Sequence, residues 1–94
     1  MSDLPHFLSG TALRQAKAQA QRLRPSVRLG KAGADSAFHQ ALDTELNLRS
    51  LAKIKFEHHQ ASKKTLAPEI ARQAQAQIIL FVGHTLTLYR PPPA

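Results

Sequence analysis

The chain has 94 residues, enough for one small domain with a modest core, and this length argues against a second domain. It contains no cysteine, which excludes a disulfide framework and a thiolate nucleophile and favours a cytoplasmic protein. Thirteen Lys and Arg against six Asp and Glu give a formal net charge of +7, which attracts polyanions, most commonly nucleic acid. The longest apolar run, Ile78 to Val82, has five residues, so no membrane span and no membrane partner are expected.

The first predicted element is a helix with Ser9 as its N-cap, ending at about Gln21. Apolar residues at helical spacing are expected to face the core: Leu8, Ala12, Ala16, Ala20 and Leu23. A basic stripe runs beside them: Arg14, Lys17, Gln21 and Arg24. Such a stripe is usually a solvated helix face, and it indicates a binding surface only if other cations lie on the same side of the molecule.

The next feature is a short strand that leads into a glycine-bracketed loop. Pro25 ends the first helix, and Ser26 to Leu29 is predicted as the strand. The loop, Gly30-Lys31-Ala32-Gly33, has two glycines that permit positive φ and the close approach of another backbone. Because a helix follows, the loop can hold a phosphate, although an isolated Gly-x-x-Gly is more often only a tight turn.

Asp35 is the predicted N-cap of a second helix, Ser36 to Leu48. Its core side is expected to carry Phe38, Ala41, Leu42 and Leu46. Asp43 and Glu45 are two residues apart and point in different directions on a helix, so they make a poor pair for acid–base chemistry. No catalytic residue is therefore assigned, and the protein is not expected to be an enzyme.

Leu51 to Glu57 alternates between apolar and polar residues, as a strand with one buried face does. Lys53 and Lys55 are expected side by side on its solvent face. His58 and His59 follow as solvated loop residues; neighbours at a strand end point to opposite faces, so neither a metal site nor a cofactor is predicted.

A third helix is predicted from about Leu66 to Gln75 with Thr65 as its N-cap, which places Pro68 at the third helical position, where its missing N–H costs nothing. A start at Ser62 would instead place Pro68 inside the helix and kink it. Gln77 to Val82 is the most apolar segment and is expected to be the central strand.

The chain is predicted to finish with a hairpin. Gly83-His84 is a type II′ turn signal between the apolar segment and a last strand, Thr85 to Arg90. We therefore expect a compact single α/β domain, a four-stranded mixed sheet with three helices in the order α-β-α-β-α-β-β. Its expected bounds are a flexible N-terminus over residues 1–7, the domain over 8–90 and a Pro-rich tail over 91–94.

This order of elements, together with several motifs, resembles the CRM domain, the chloroplast RNA splicing and ribosome maturation module, in its stand-alone bacterial YhbY form. The similarity runs from about Leu8 to Arg90. The motifs are Leu23-Arg24-Pro25, Leu29-Gly30-Lys31-Ala32-Gly33, Ala52-Lys53-Ile54-Lys55 and, most specifically, Val82-Gly83-His84-Thr85-Leu86-Thr87-Leu88-Tyr89-Arg90.

The resemblance implies a fold similar to the C-terminal domain of translation initiation factor three, with a KH-like GxxG loop. It implies RNA binding without catalysis. We expect a monomer that holds no cofactor. Stand-alone bacterial relatives associate with precursors of the large ribosomal subunit, so ribosomal RNA and ribosome biogenesis are the expected partner and process.

We hypothesise that the loop packs against an RNA backbone with Lys31 on a phosphate, and that basic residues extend the surface. The candidate RNA-binding residues are Gly30, Lys31, Ala32, Gly33, Arg28, Arg14, Lys17 and Arg24, with Lys53 and Lys55 as a second tier. Asp35 departs from the family pattern. As an N-cap it accepts from the N–H groups that an anion takes, which leaves Lys31 and the arginines as the main phosphate contacts.

Two other functions stay open on the sequence alone. One is a protein-interaction module that docks on a ribosomal protein or an assembly GTPase through the sheet surface. The other is a general nucleic-acid-binding protein, because phosphate contacts do not distinguish DNA from RNA. With one tyrosine and four phenylalanines, recognition by aromatic stacking is disfavoured against contacts to shape and backbone.

Overall fold

The computed structural model describes residues 4–92, which form three helices and one four-stranded sheet in the predicted order. The elements are α1 (Gly10–Arg22), β1 (Val27–Leu29), α2 (Ser36–Arg49), β2 (Leu51–Phe56), α3 (Lys63–Ala74), β3 (Gln77–Val82) and β4 (Thr85–Tyr89), with a 3₁₀ turn at Gln60–Ser62. None of the helices within this range is long and apolar enough to cross a bilayer.

The strands lie in the order β1-β2-β4-β3. β1 pairs with β2 in parallel, whereas β2 with β4 and β4 with β3 are antiparallel. The prediction that Gln77 to Val82 is the central strand was therefore wrong, because it forms the edge strand β3 while β2 and β4 occupy the middle. β3 is apolar because apolar clusters lie on both faces of the sheet, and not because β3 has a neighbouring strand on each side.

The sheet separates two apolar clusters. The larger one lies under α2 and α3 and includes the inward-facing residues Ile54 and Phe56 of β2 and Leu86 and Leu88 of β4, all fully buried. The smaller one lies under α1 on the opposite face, where Ala16 packs with Leu51 and Ile79. In α1 the expected core residue Ala12 is exposed, and Leu13 packs against the smaller cluster.

A segment that precedes α1 is fastened to the start of β3. The buried side chain of Gln77 accepts hydrogen bonds from the backbone N–H groups of Phe7 and Leu8 at 2.7 Å each, and it donates to the Leu8 carbonyl at 3.0 Å. Leu4 packs against the larger cluster and Leu8 against the smaller one, so the segment passes from one face of the sheet to the other. Leu4 and the Phe7 backbone thus contact the domain, whereas the side chains of His6 and Phe7 are exposed; residues 1–3, 93 and 94 lie outside the described range.

The third helix begins earlier than expected. α3 starts at Lys63 with Ser62 as N-cap, so the predicted start after Thr65 was wrong and Pro68 lies inside the helix. A proline at this position removes one hydrogen bond, the one to the carbonyl of Lys64 in the exposed first turn. Burial of Ala67, Ile70, Ala71 and Ala74 on the sheet compensates for that loss.

The hairpin between β3 and β4 follows the prediction. Gly83 has φ of +58°, whereas His84 is not among the residues with positive φ, which is the pattern of a type II′ turn.

Arg90, directly after β4, joins three parts of the fold. Its guanidinium donates to the Ala74 carbonyl at 2.8 Å, to Asp43 Oδ1 at 2.9 Å and to Asn47 Oδ1 at 3.0 Å. Its backbone N–H donates to the Ser50 carbonyl at 2.9 Å. The last residue of the Leu-Tyr-Arg motif therefore holds the ends of α2 and α3 against the sheet.

We expect Arg90→Ala to lower the free energy of unfolding by about 2 to 3 kcal/mol, because charge-assisted hydrogen bonds are lost and the Ala74 carbonyl loses its partner. Urea unfolding followed by circular dichroism measures the change. Asp43→Asn is the control: the Asp43 side chain is 58% exposed, so losing its charge should cost less than about 1 kcal/mol. Equal effects of the two variants would contradict the assigned role of Arg90.

Candidate functional site

The Gly30 to Gly33 loop is a tight turn at the carboxyl end of β1. The Gly33 N–H donates to the Gly30 carbonyl at 3.0 Å, which places Lys31 and Ala32 at the exposed tip. The Asp35 N–H donates to the Gly33 carbonyl at 2.9 Å and turns the chain into α2.

The two glycines of the loop differ in what the fold requires. Gly33 has φ of +77°, where a side chain is strained by about 1 to 2 kcal/mol, and a Cβ there would lie 3.6 Å from the His59 ring. Gly30 does not have positive φ, and a Cβ there would meet nothing within 4 Å. The expectation of positive φ therefore holds for Gly33 alone, and the fold itself leaves room for a side chain at Gly30.

Asp35 caps α2 as the sequence predicts. Its Oδ1 accepts a hydrogen bond from the Phe38 N–H at 2.9 Å. The carboxylate thus occupies one of the free donors at the start of the helix, and its negative charge opposes an anion there. Lys31, whose exposed ammonium has no partner among residues 4–92, is the cation at the loop tip.

His59 holds the loop from the neighbouring strand end, a role that the sequence analysis did not assign. Its Nε2 lies 2.8 Å from the Lys31 carbonyl, and because a carbonyl only accepts, this nitrogen is the donor. His59 adopts φ of +60° to place the ring against the loop. No local sequence pattern reports this contact, since it depends on the parallel pairing of β1 with β2.

Arg28 and Lys55 lie side by side as partners across the β1–β2 pair. Both alternate with residues of the larger cluster, so they project from the face of the sheet that carries α1. Arg28 forms an ion pair with Glu57, and both groups are substantially exposed. Lys55 is exposed and has no ion pair or side-chain hydrogen bond within residues 4–92.

Lys53 does not lie free on the solvent face as expected. It is half-buried, and its Nζ donates at 2.9 Å to the carbonyls of Ala20 and Leu23, where α1 ends. The Ala20 carbonyl also accepts from the Leu23 N–H at 3.2 Å, so Lys53 is its second donor, and a cation at the C-terminal end of a helix interacts favourably with the helix dipole. The geometry therefore gives Lys53 a structural role in fixing α1 on the sheet.

The remaining predicted cations belong to α1 and the segment after it. Arg14, Lys17 and Arg24 are all exposed, and Arg14 Nη2 donates to Thr11 Oγ1 at 3.2 Å. Because α1 covers the same face of the sheet from which Arg28 and Lys55 project, these cations share one side of the molecule with them.

A shallow groove of about 400 Å³ runs between β1 and α2 and ends at the glycine loop. Val27 and Phe38 lie at its base, and the small side chains of Ala32, Ala37 and Ala41 line it. β1 is an edge strand, so its outer backbone is not paired to another strand. The groove can therefore admit an extended chain next to Lys31.

The described residues offer no metal centre. Within residues 4–92, no group of three or more His, Asp or Glu side chains is arranged to hold a metal ion.

The fold and the loop define a small α/β domain with a basic glycine-loop surface, and comparison with known proteins assigns its family. The model of the CRS1/YhbY (CRM) domain matches residues 8–90, and the chain belongs to this family. The CRM family comprises RNA-binding proteins and not enzymes, in keeping with the names of the relatives below.

One sequence relative and one solved structure of similar fold extend the comparison. The chain is 32% identical over 87 residues to a probable RNA-binding protein of Methanocaldococcus jannaschii, covering 89% of this chain and 64% of that protein. It thus spans somewhat less than two thirds of that relative's length. The solution structure of a hypothetical Staphylococcus aureus protein, for which RNA binding has been suggested, shares the fold with a TM-score of 0.77 at 22% identity, covering 94% of this chain and 93% of that one.

We expect His59→Ala to loosen the loop, because the bond from His59 to the Lys31 carbonyl is, within residues 4–92, the one side-chain hydrogen bond between the loop and the segment that follows β2. NMR relaxation should show lower order parameters for the amides of residues 30–33. His58→Ala is the matched control, since His58 contacts β1 through its backbone N–H, at 3.2 Å from the Leu29 carbonyl. A loop that stays equally rigid in both variants would show that His59 does not position it.

Proposed function

We propose that this protein binds ribosomal RNA in precursors of the large ribosomal subunit and assists their assembly in the cytoplasm, acting as a monomer. The observation that carries the proposal is Gly30. The fold has room for a side chain there, yet the position before the Lys31 tip is glycine, as suits a surface approached closely by another backbone. Family membership and the RNA-binding names of the relatives support RNA as that ligand.

The geometry of the site supports a specific set of proposed contacts. Lys31 places an unpaired ammonium on the phosphate backbone while Gly30 and Ala32 let that backbone come close. Lys55, Arg28 and the α1 cations extend the field over one side of the molecule. Arg28 contributes less than its formal charge, because Glu57 is paired with it. Lys53 is left out of the contact set, because its ammonium is bound by two carbonyls of α1.

Gly30→Ala and Lys31→Ala should weaken binding to large-subunit ribosomal RNA in two different ways. Loss of the Lys31 charge removes one phosphate contact, so the slope of log affinity against log salt should flatten by about 0.7 to 0.9. The Cβ of Gly30→Ala changes no charge, so affinity should fall several-fold at every salt concentration with the slope unchanged. Fluorescence anisotropy with a labelled RNA fragment measures both.

Thermal unfolding provides the control for this pair. Neither variant should lower the unfolding temperature, because Gly30 has space for a Cβ and the Lys31 side chain is exposed. Wild-type binding that does not depend on salt would contradict the phosphate model. Unchanged affinity of Gly30→Ala would show that no backbone approaches Gly30 closely.

The partner is tested in cells. Crosslinking followed by sequencing should recover large-subunit ribosomal RNA, and the protein should sediment with large-subunit precursors and be released by nuclease. Co-sedimentation that survives nuclease would favour the alternative, docking on a ribosomal protein or an assembly GTPase. Equal competition by DNA of the same length would indicate general nucleic-acid binding.

A further inference from the structure

The hairpin turn between β3 and β4 lies at the same end of the sheet as the glycine loop. The Phe56 N–H, at the end of β2, donates to the His84 carbonyl at 2.8 Å, and on the other side of β2 the Leu29 carbonyl accepts from Glu57 and His58. The glycine loop, the end of β2 and the hairpin turn therefore stand next to each other in strand order. Two inter-strand spacings, about 10 Å, separate the first from the last.

The first turn of α3 supplies cations to this hairpin. Lys63 Nζ donates to the Gly83 carbonyl at 2.6 Å and lies 3.4 Å from His84 Nδ1. Lys64 is exposed and, within residues 4–92, takes part in no ion pair or side-chain hydrogen bond. Because the Gly83 carbonyl neutralises no charge, Lys63 and Lys64 together add two positive charges beside the turn.

The carboxylates nearby do not cancel these charges. Glu57 is paired with Arg28, and Asp35 caps α2 on the far side of the glycine loop. Glu57 directly follows β2 and therefore lies between the glycine loop and the hairpin, where its charge is offset by Arg28. The positive charges of Lys31, Arg28, Lys63 and Lys64 outnumber the negative charges of Glu57 and Asp35, so this end of the sheet has a net positive charge.

We propose that Lys63, Lys64 and His84 form a second phosphate contact, so that the nucleic-acid backbone crosses the end of the sheet from the glycine loop to the hairpin. This inference rests on the proposed function, since it takes the same RNA as its ligand. Lys64 and the His84 side chain contact the phosphate, and Lys63 holds the turn in place while adding to the field. None of these three residues belongs to the set predicted from the sequence.

Lys64→Gln tests the second contact with the same RNA and the same anisotropy measurement. It should flatten the slope of log affinity against log salt by about 0.7 to 0.9, as loss of one phosphate contact does, and should weaken binding several-fold. Its stability should not fall, because a lysine in the first turn of a helix opposes the helix dipole. Arg49→Gln is the matched control: it removes one charge at the opposite end of the sheet, where Arg49 pairs with Glu45 at 3.4 Å.

The outcomes separate this inference from the proposed function. If Lys64→Gln and Arg49→Gln give the same slope of log affinity against log salt while Lys31→Ala flattens that slope, the second contact is overturned and RNA binding by the loop stands. Absence of salt-dependent binding by the wild-type protein would overturn both. If Lys64→Gln flattens the salt slope and Arg49→Gln leaves it unchanged, the result supports a nucleic-acid backbone that crosses the end of the sheet from the glycine loop to the hairpin.

Discussion

The parallel pairing of β1 with β2 is the constraint on which the site depends. Only three residues of β1 take part, with Val27, Arg28 and Leu29 opposite Ile54, Lys55 and Phe56. Parallel strands place their carboxyl ends at the same edge of the sheet, so the glycine loop after β1 meets the histidines after β2. The carbonyl of Leu29 accepts from two consecutive N–H groups of that second segment, which fastens the junction. Without this pairing, Lys31 would sit on an untethered loop.

Local sequence patterns predicted the parts of the fold that depend on neighbours along the chain. The alternation in β2, the aspartate cap of α2 and the Gly83 turn each follow from residues a few positions apart, and each is found where expected. Two local arguments failed because packing overrode them. Pro68 inside α3 costs one hydrogen bond, and the burial of the alanine and isoleucine face exceeds that cost. Residues 77–81 of β3 are buried or half-buried although the strand lies at the sheet edge, and Val82 is exposed. The apolar composition of β3 does not distinguish this cover by helices from a central position in the sheet.

The glycine loop at the centre of the candidate site could be predicted from the sequence, whereas the contacts that surround the loop could not. The glycine loop and Lys31 form a contiguous motif, so both residue pattern and family resemblance found them. The contact of His59 with the Lys31 carbonyl joins residues 28 positions apart, and the Lys63 bond to Gly83 joins residues 20 positions apart. No periodicity or motif predicts such pairs, because the first depends on the pairing of β1 with β2 and the second on the packing of α3 beside the hairpin. The same holds for Lys53, which strand alternation places facing solvent but which instead binds the end of α1.

A composition with a net charge of +7 does not present all its cations to a ligand, because the fold uses several of them. Lys53 and Arg90 bind carbonyls at helix ends, and Arg28 is paired with Glu57. A hydrogen bond to a carbonyl does not neutralise an ammonium, so Lys53 still contributes to the long-range field that attracts a polyanion. Direct contact needs a cation whose donors are free, a condition that Lys31 and Lys64 meet. The long-range attraction of a polyanion therefore depends on the net charge of the whole protein. The position at which a phosphate backbone could bind depends instead on the cations that the fold leaves unpaired.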